Sequence, residues 1–112
     1  MNLLQAVKDA HSALDQKFGK NIIILDIREI STIADFFIIT EASNPNQVSA
    51  MVSGAEEALK GHGLTLRHIE GLRKADWVLM DFGDIIIHIF DEESRAFYNL
   101  ERTWRDAKEI SV

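Results

Sequence analysis

The chain has 112 residues, no cysteine and a formal net charge of −6 at pH 7. That length sets one domain, able to hide roughly 65% of its unfolded surface without covalent staples. Disulfides and thiolate metal sites are excluded, and the acidic balance, with no large basic face, suits a basic partner protein better than nucleic-acid phosphate.

The opening MNLLQAVKDA has neither a basic start nor a long apolar run, so no signal peptide is expected. It is not Arg-rich, so no transit peptide is expected. No apolar run approaches the ~20 residues of a membrane span. Leu3, Leu4, Val7, Leu14 and Phe18 recur at helical spacing, which predicts an amphipathic helix over 2–18. Gly19 is the expected C′ stop, with Lys17 and Lys20 at the negative end of the helix dipole. NIIILDI (21–27) reads as an interior strand because it is apolar throughout. Residues 28–34 connect it to a second strand, DFFIITEA (35–42).

Asn44-Pro45-Asn46-Gln47 is a helix start: an N-cap, a Pro at the first helical position and a Gln three residues after the cap. Val48, Met51, Val52, Ala55, Ala58 and Leu59 continue the apolar face, and Gly61-His62-Gly63 ends it. LTLRHI (64–69) alternates and predicts a third strand. Residues 70–76 form a charged turn.

WVLMDFGDIIIHIF (77–90) predicts a β-hairpin about Gly83-Asp84, where glycine supplies the positive φ of a tight turn. Phe82 then faces Ile85, Met80 faces Ile87 and Val78 faces Ile89, all apolar and all on one side. The other side carries Asp81 with Ile86, Leu79 with His88, and Trp77 with Phe90. A one-residue slip would mix the two sets. Asp91-Glu92-Glu93 opens a last helix, with Phe97, Leu100 and Trp104 at i, i+3 and i+7. The strand–helix–strand unit over 35–69 predicts a right-handed parallel crossover. The whole predicts an α/β domain over 1–112: a mixed five-stranded sheet with flanking helices.

Enzymatic signatures are sparse. No phosphate-binding glycine loop is present, and Asp81-Phe82-Gly83 matches a kinase triplet by chance on a hairpin turn. His11, His62, His68 and His88 show no metal spacing, so no metal or cofactor is expected. A nucleotidyltransferase site needs two strand carboxylates one residue apart after a Gly-Ser turn, and no such pair exists. An alternative of a Mg-dependent nucleotidyltransferase or phosphotransferase using Asp26 or Asp81 stays open on strand-end acids alone. Asp84 as a turn residue, Asp91 as a cap and Asp35 as a boundary acid are the plainer assignments. His88 reads as a satisfied, partly buried strand histidine, with general base as the alternative. Trp77 and Phe90 fit either a core under a covering helix or an exposed anchor. Tyr98 and Trp104 fit either helix packing or an interface.

ADFFIIT (34–40), SNPNQV (43–48), IEG (69–71), DWVLMDFGDIIIHIF (76–90) and ESRAFYNLERTW (93–104) together resemble the ribosomal silencing factor family, also called Iojap-related, over about residues 26–107. Pro45 departs from the family's usual basic or polar residue. The resemblance implies a nucleotidyltransferase-like fold without a catalytic site, and a protein that is not an enzyme. It implies binding to the large ribosomal subunit through its protein fourteen, on the face that meets the small subunit. Subunit joining is then blocked sterically, and translation falls under nutrient limitation. Without the targeting extensions of plant and mitochondrial relatives, the sequence resembles the cytoplasmic bacterial form.

Carried onto this sequence, the resemblance implies Trp77, Leu79, Asp81, Tyr98 and Glu101 as partner contacts, with Glu70, Arg73, Lys74, His88 and Arg95 next. Arg95, Tyr98 and Glu101, at i, i+3 and i+6, would form one polar stripe on the last helix. No direct nucleic-acid readout and no membrane are expected. An edge strand or the Trp77 face is able to pair two copies off the ribosome.

Overall fold

The computed structural model describes residues 2–112. In chain order the elements are α1 (Leu3–Gln16), β1 (Lys20–Asp26), β2 (Phe36–Ala42), α2 (Pro45–Lys60), β3 (His68–Glu70), β4 (Trp77–Asp81), β5 (Ile85–Asp91), α3 (Glu92–Tyr98), α4 (Leu100–Thr103) and β6 (Lys108–Ile110). One mixed sheet takes the order β3-β4-β5-β2-β1-β6. Its β2–β5 pair is parallel and its other pairs are antiparallel.

The sheet has six strands, not five. The extra strand, β6, lays Lys108–Ile110 against Ile24–Asp26 of β1. Its three residues, KEI, are too short and too polar to stand out as a strand in the sequence. The third strand also shrinks from 64–69 to His68–Glu70. β3 runs parallel to β2 as the crossover predicts, but β4 and β5 lie between them.

The hairpin register is the predicted one: Trp77 faces Phe90, Val78 faces Ile89, Leu79 faces His88, Met80 faces Ile87 and Asp81 faces Ile86. Gly83 sits at φ +88°, and Phe82 N–H donates to the Ile85 carbonyl at 2.9 Å. The Val78–Met80–Phe82 side and its β5 partners are buried beneath α1 and α2. Helix α2 begins as its motif dictates. Asn44 Oδ1 accepts from Gln47 N–H at 2.9 Å, and Gln47 Oε1 accepts from Ser43 N–H at 2.6 Å.

Helix α1 ends differently from expectation. Lys17 is the C-cap, Phe18 at φ 65° takes the left-handed C′ place, and Gly19 follows it. Gly19 N–H returns to the Leu14 carbonyl at 3.0 Å and Phe18 N–H to Asp15 at 2.9 Å, closing a Schellman turn. Room is tight at Gly19, where a Cβ would press on the Leu14 carbonyl and Thr40 Oγ1 at 3.1 Å and push the end of Met51 aside.

The last helix breaks. Asn99 at φ 45°, ψ 55° separates α3 from α4. Leu100, Trp104 and Ala107 then pack on the second sheet face against Leu25, Ile27, Phe37, Ile39, Ile86 and Phe90. Phe97, expected in the same apolar stripe, is left 80% exposed.

Candidate partner-binding site

The second sheet face is covered only in part. Pairing aligns its residues into rows across the strands: Glu70, Leu79, His88, Ile39 and Ile23 in one; His68, Asp81, Ile86, Phe37 and Leu25 in another; Trp77, Phe90 and Glu41 in a third. The α4 segment covers the β1–β2 end of these rows. Toward β3 and β4 the cover stops, leaving Trp77, Leu79 and Asp81 half-buried and Glu70 exposed.

Trp77 is positioned from both sides of the chain. Asp76 Oδ1 accepts the Trp77 N–H at 2.9 Å, and the Asp76 carbonyl accepts Asp91 N–H at 3.0 Å. The preceding turn depends on Gly71, at φ +83°, where a Cβ would lie 1.9 Å from the Trp77 carbonyl oxygen. Arg73 and Lys74 are exposed on that turn, beside Leu72 at 46% exposure. Ala75 closes it at φ 57°, with its N–H on the Gly71 carbonyl at 2.9 Å.

The Trp77 ring stacks on Phe90 at 5.0 Å between centroids and meets Tyr98 at 4.7 Å. Tyr98 is 48% exposed, and Phe97 stands edge-on to it at 5.1 Å. Leu79, Trp77, Tyr98 and Phe97 therefore belong to one aromatic and apolar surface. Phe97 and Leu72 were missed as surface residues by sequence reasoning. Asn99, which tolerates the left-handed conformation, is the signal that frees Phe97 from the helical stripe.

His88 lies beneath this surface, 4% exposed. Trp77 Nε1–H donates to His88 Nδ1 at 3.2 Å, which places the neutral ring's proton on Nε2. Nε2 has no partner among the described residues. Burial pushes the His88 pKa down to about 4. The ring is therefore neutral at pH 7 and supports Trp77 from below; it is less satisfied than its sequence position suggests.

Arg95 is also inside, 8% exposed. Its Nε donates to Glu101 Oε2 at 3.2 Å, and an Nη reaches the Lys20 carbonyl at 3.4 Å. The helix break divides the expected Arg95–Tyr98–Glu101 stripe: Tyr98 faces out, while Arg95 folds inward and clamps Glu101. Glu41, Glu92 and Glu101 line the cleft beside this clamp with Asn21 and Arg95.

The strand-end acids have local roles. Asp26 takes Arg28 through Nε at 2.9 Å and an Nη at 2.7 Å, and this pair holds its carboxyl below the ordinary value. Asp81 Oδ1 accepts Gly83 N–H at 2.7 Å and so braces the hairpin turn. Asp91 Oδ1 caps α3 by accepting Ser94 N–H at 2.7 Å. Among the described residues no group of three or more His, Cys, Asp or Glu is placed to hold a metal ion. No described helix is long and apolar enough to cross a membrane.

The family model described as ribosomal silencing factor during starvation matches residues 1–112. Ribosomal silencing factor RsfS of Zymomonas mobilis is 42% identical over 102 residues, 91% of this chain and 74% of that one. The Bacillus subtilis protein of that name is 36% identical over 107 residues, 96% of this chain and 91% of that one. A crystal structure from Chromobacterium violaceum superposes with a TM-score of 0.88 at 29% identity, over 99% of this chain and 92% of the other.

Proposed function

The chain belongs to the ribosomal silencing factor family, and from that premise we propose that it binds protein fourteen of the large ribosomal subunit and keeps the small subunit from joining. The family is regulatory rather than enzymatic. The observation that best supports the docking surface is the Trp77–Tyr98 contact at 4.7 Å, at the margin where cover of the second sheet face stops. Large, half-exposed aromatics beside a polar rim are the usual anchors of an interface. Here the margin carries the carboxylates of Glu70, which is exposed, and Asp81, which is half-buried, and these suit the lysines and arginines of a basic ribosomal protein.

In this reading Trp77, Leu79, Asp81, Tyr98 and Glu101 touch the partner, with Glu70, Arg73 and Lys74 at the rim. His88 and Arg95 act from below, by fixing Trp77 and Glu101. No chemistry is needed. A rigid body seated on the joining face excludes the second subunit by volume, and translation falls during nutrient limitation in the bacterial cytoplasm. Off the ribosome, a second copy would compete for the same aromatic surface.

Titration with purified protein fourteen tests the docking surface. Tyr98 is 48% exposed but packs on Trp77 and Phe90, so Tyr98→Ala should leave the protein folded with a melting temperature lower by about 5 °C and weaken binding by about tenfold or more. Unchanged affinity would remove Tyr98, and the surface built around it, from the interface.

A further inference from the structure

A second exposed aromatic stands apart from the Trp77 surface. Phe18 is 81% exposed and holds φ 65°, at the helix-terminal place that glycine fills by default. Both features disfavour phenylalanine there on grounds of folding alone. The conformation is enforced from several directions. Gly19 N–H is tied to the Leu14 carbonyl at 3.0 Å, and Gln47 Nε2 donates to the carbonyls of Lys17 at 3.0 Å and Phe18 at 2.8 Å. Backbone strain that the surroundings over-determine is a pointer to function.

The ring borders a cleft of about 610 Å³ between the end of α1 and the start of α2. Its lining includes Lys17, Phe18, Lys20, Asn44 and Asn46 and contains no carboxylate, in a chain whose net charge is −6. Among the described residues neither lysine forms an ion pair. Glu41, the cross-strand neighbour of Lys20, turns its carboxylate to Asn21 Nδ2 at 2.6 Å instead.

We propose that Lys17, Phe18 and Lys20 form a contact for single-stranded RNA, with a base stacked on the Phe18 ring and its phosphates on the two lysines. An exposed ring with cations one and two residues away matches how single strands are held without sequence readout. Among the described residues no aromatic stacks on the Phe18 ring, and at 81% exposure the ring is open to a base. An acidic peptide would satisfy the lysines but leave the flat ring without a stacking partner. This refines the expectation drawn from net charge: the chain is acidic as a whole and locally basic here. The inference rests on the ribosome reading only for the source of the RNA, an unpaired segment of the large subunit near the docked protein.

The test is fluorescence anisotropy of the full chain with a 5′-labelled twelve-nucleotide oligoadenylate, and separately with a labelled oligoglutamate peptide. The oligonucleotide should bind, with a log–log salt slope near about −1.4 for two phosphate contacts. Phe18→Gly should raise the melting temperature, because glycine relaxes the left-handed turn, while weakening the oligonucleotide by about tenfold. A gain in stability with a loss of binding separates a contact role from a folding role. Lys17→Gln with Lys20→Gln should flatten the salt slope. Absence of oligonucleotide binding, or binding that survives Phe18→Gly, overturns the proposal, and so does a preference for the peptide. Because the probe is free RNA, none of these outcomes depends on docking to protein fourteen. Failure of that docking would show in the Tyr98→Ala titration and leave this result standing.

Discussion

His88 sits with its Nδ1 on the Trp77 indole N–H at 3.2 Å and its Nε2 without a partner. Burial lowers its pKa from 6.5 to about 4, so the unfolded chain takes up the proton first. The stability that the neutral ring contributes is whole above pH 6.5 and shrinks as pH falls toward 4, by roughly 3 kcal/mol in all. Urea unfolding at pH 7 and pH 5 should show a loss of about 2 kcal/mol from this residue, and His88→Phe should remove that part of the pH dependence. An identical pH dependence in His88→Phe would mean that the ring is not shielded. Gly71 is a second single-residue constraint. At φ +83°, with the Trp77 carbonyl 1.9 Å from where a Cβ would stand, Gly71→Ala should cost more than about 2 kcal/mol and shift the Trp77 fluorescence. Unaltered stability would mean that the turn relaxes freely.

Among the elements, those written in strong local chemistry were legible in the sequence. The hairpin register followed from two-residue periodicity about Gly83-Asp84, and α2 from its Asn44-Pro45 start. Asn44→Ala should cost about 1 kcal/mol, since it removes the acceptor for Gln47 N–H at 2.9 Å; denaturant midpoints report this directly. Elements fixed by tertiary partners were not legible. β6 exists because β1 offers Ile24–Asp26 an open edge, and nothing in KEI announces it. The α3–α4 break follows from Asn99 adopting the left-handed conformation, which other residues take at a cost of about 1–2 kcal/mol. That break decides the site: it turns Leu100 and Trp104 onto the sheet, frees Phe97 and pulls Arg95 inward. Helical spacing alone placed Phe97 in the core and Arg95 on the surface for this reason. Phe18 at the end of α1 was equally hidden, because Gly19 beside it looked like the C′ residue.

At the scale of the whole molecule, two helices seal one face of the sheet and a short broken segment seals only part of the other. The uncovered margin carries Leu79, Trp77 and Tyr98, bordered by carboxylates, and in the proposed function it is the surface that meets the large subunit. In the proposed function a small body prevents subunit joining by occupying that subunit's face. The most direct test is sucrose-gradient sedimentation of purified subunits mixed at joining magnesium concentration, with and without the protein. The protein should travel with large subunits, be absent from joined ribosomes and lower their yield, and Tyr98→Ala should restore joining. Undiminished joining with the protein bound, or co-migration with complete ribosomes, would contradict the proposed function.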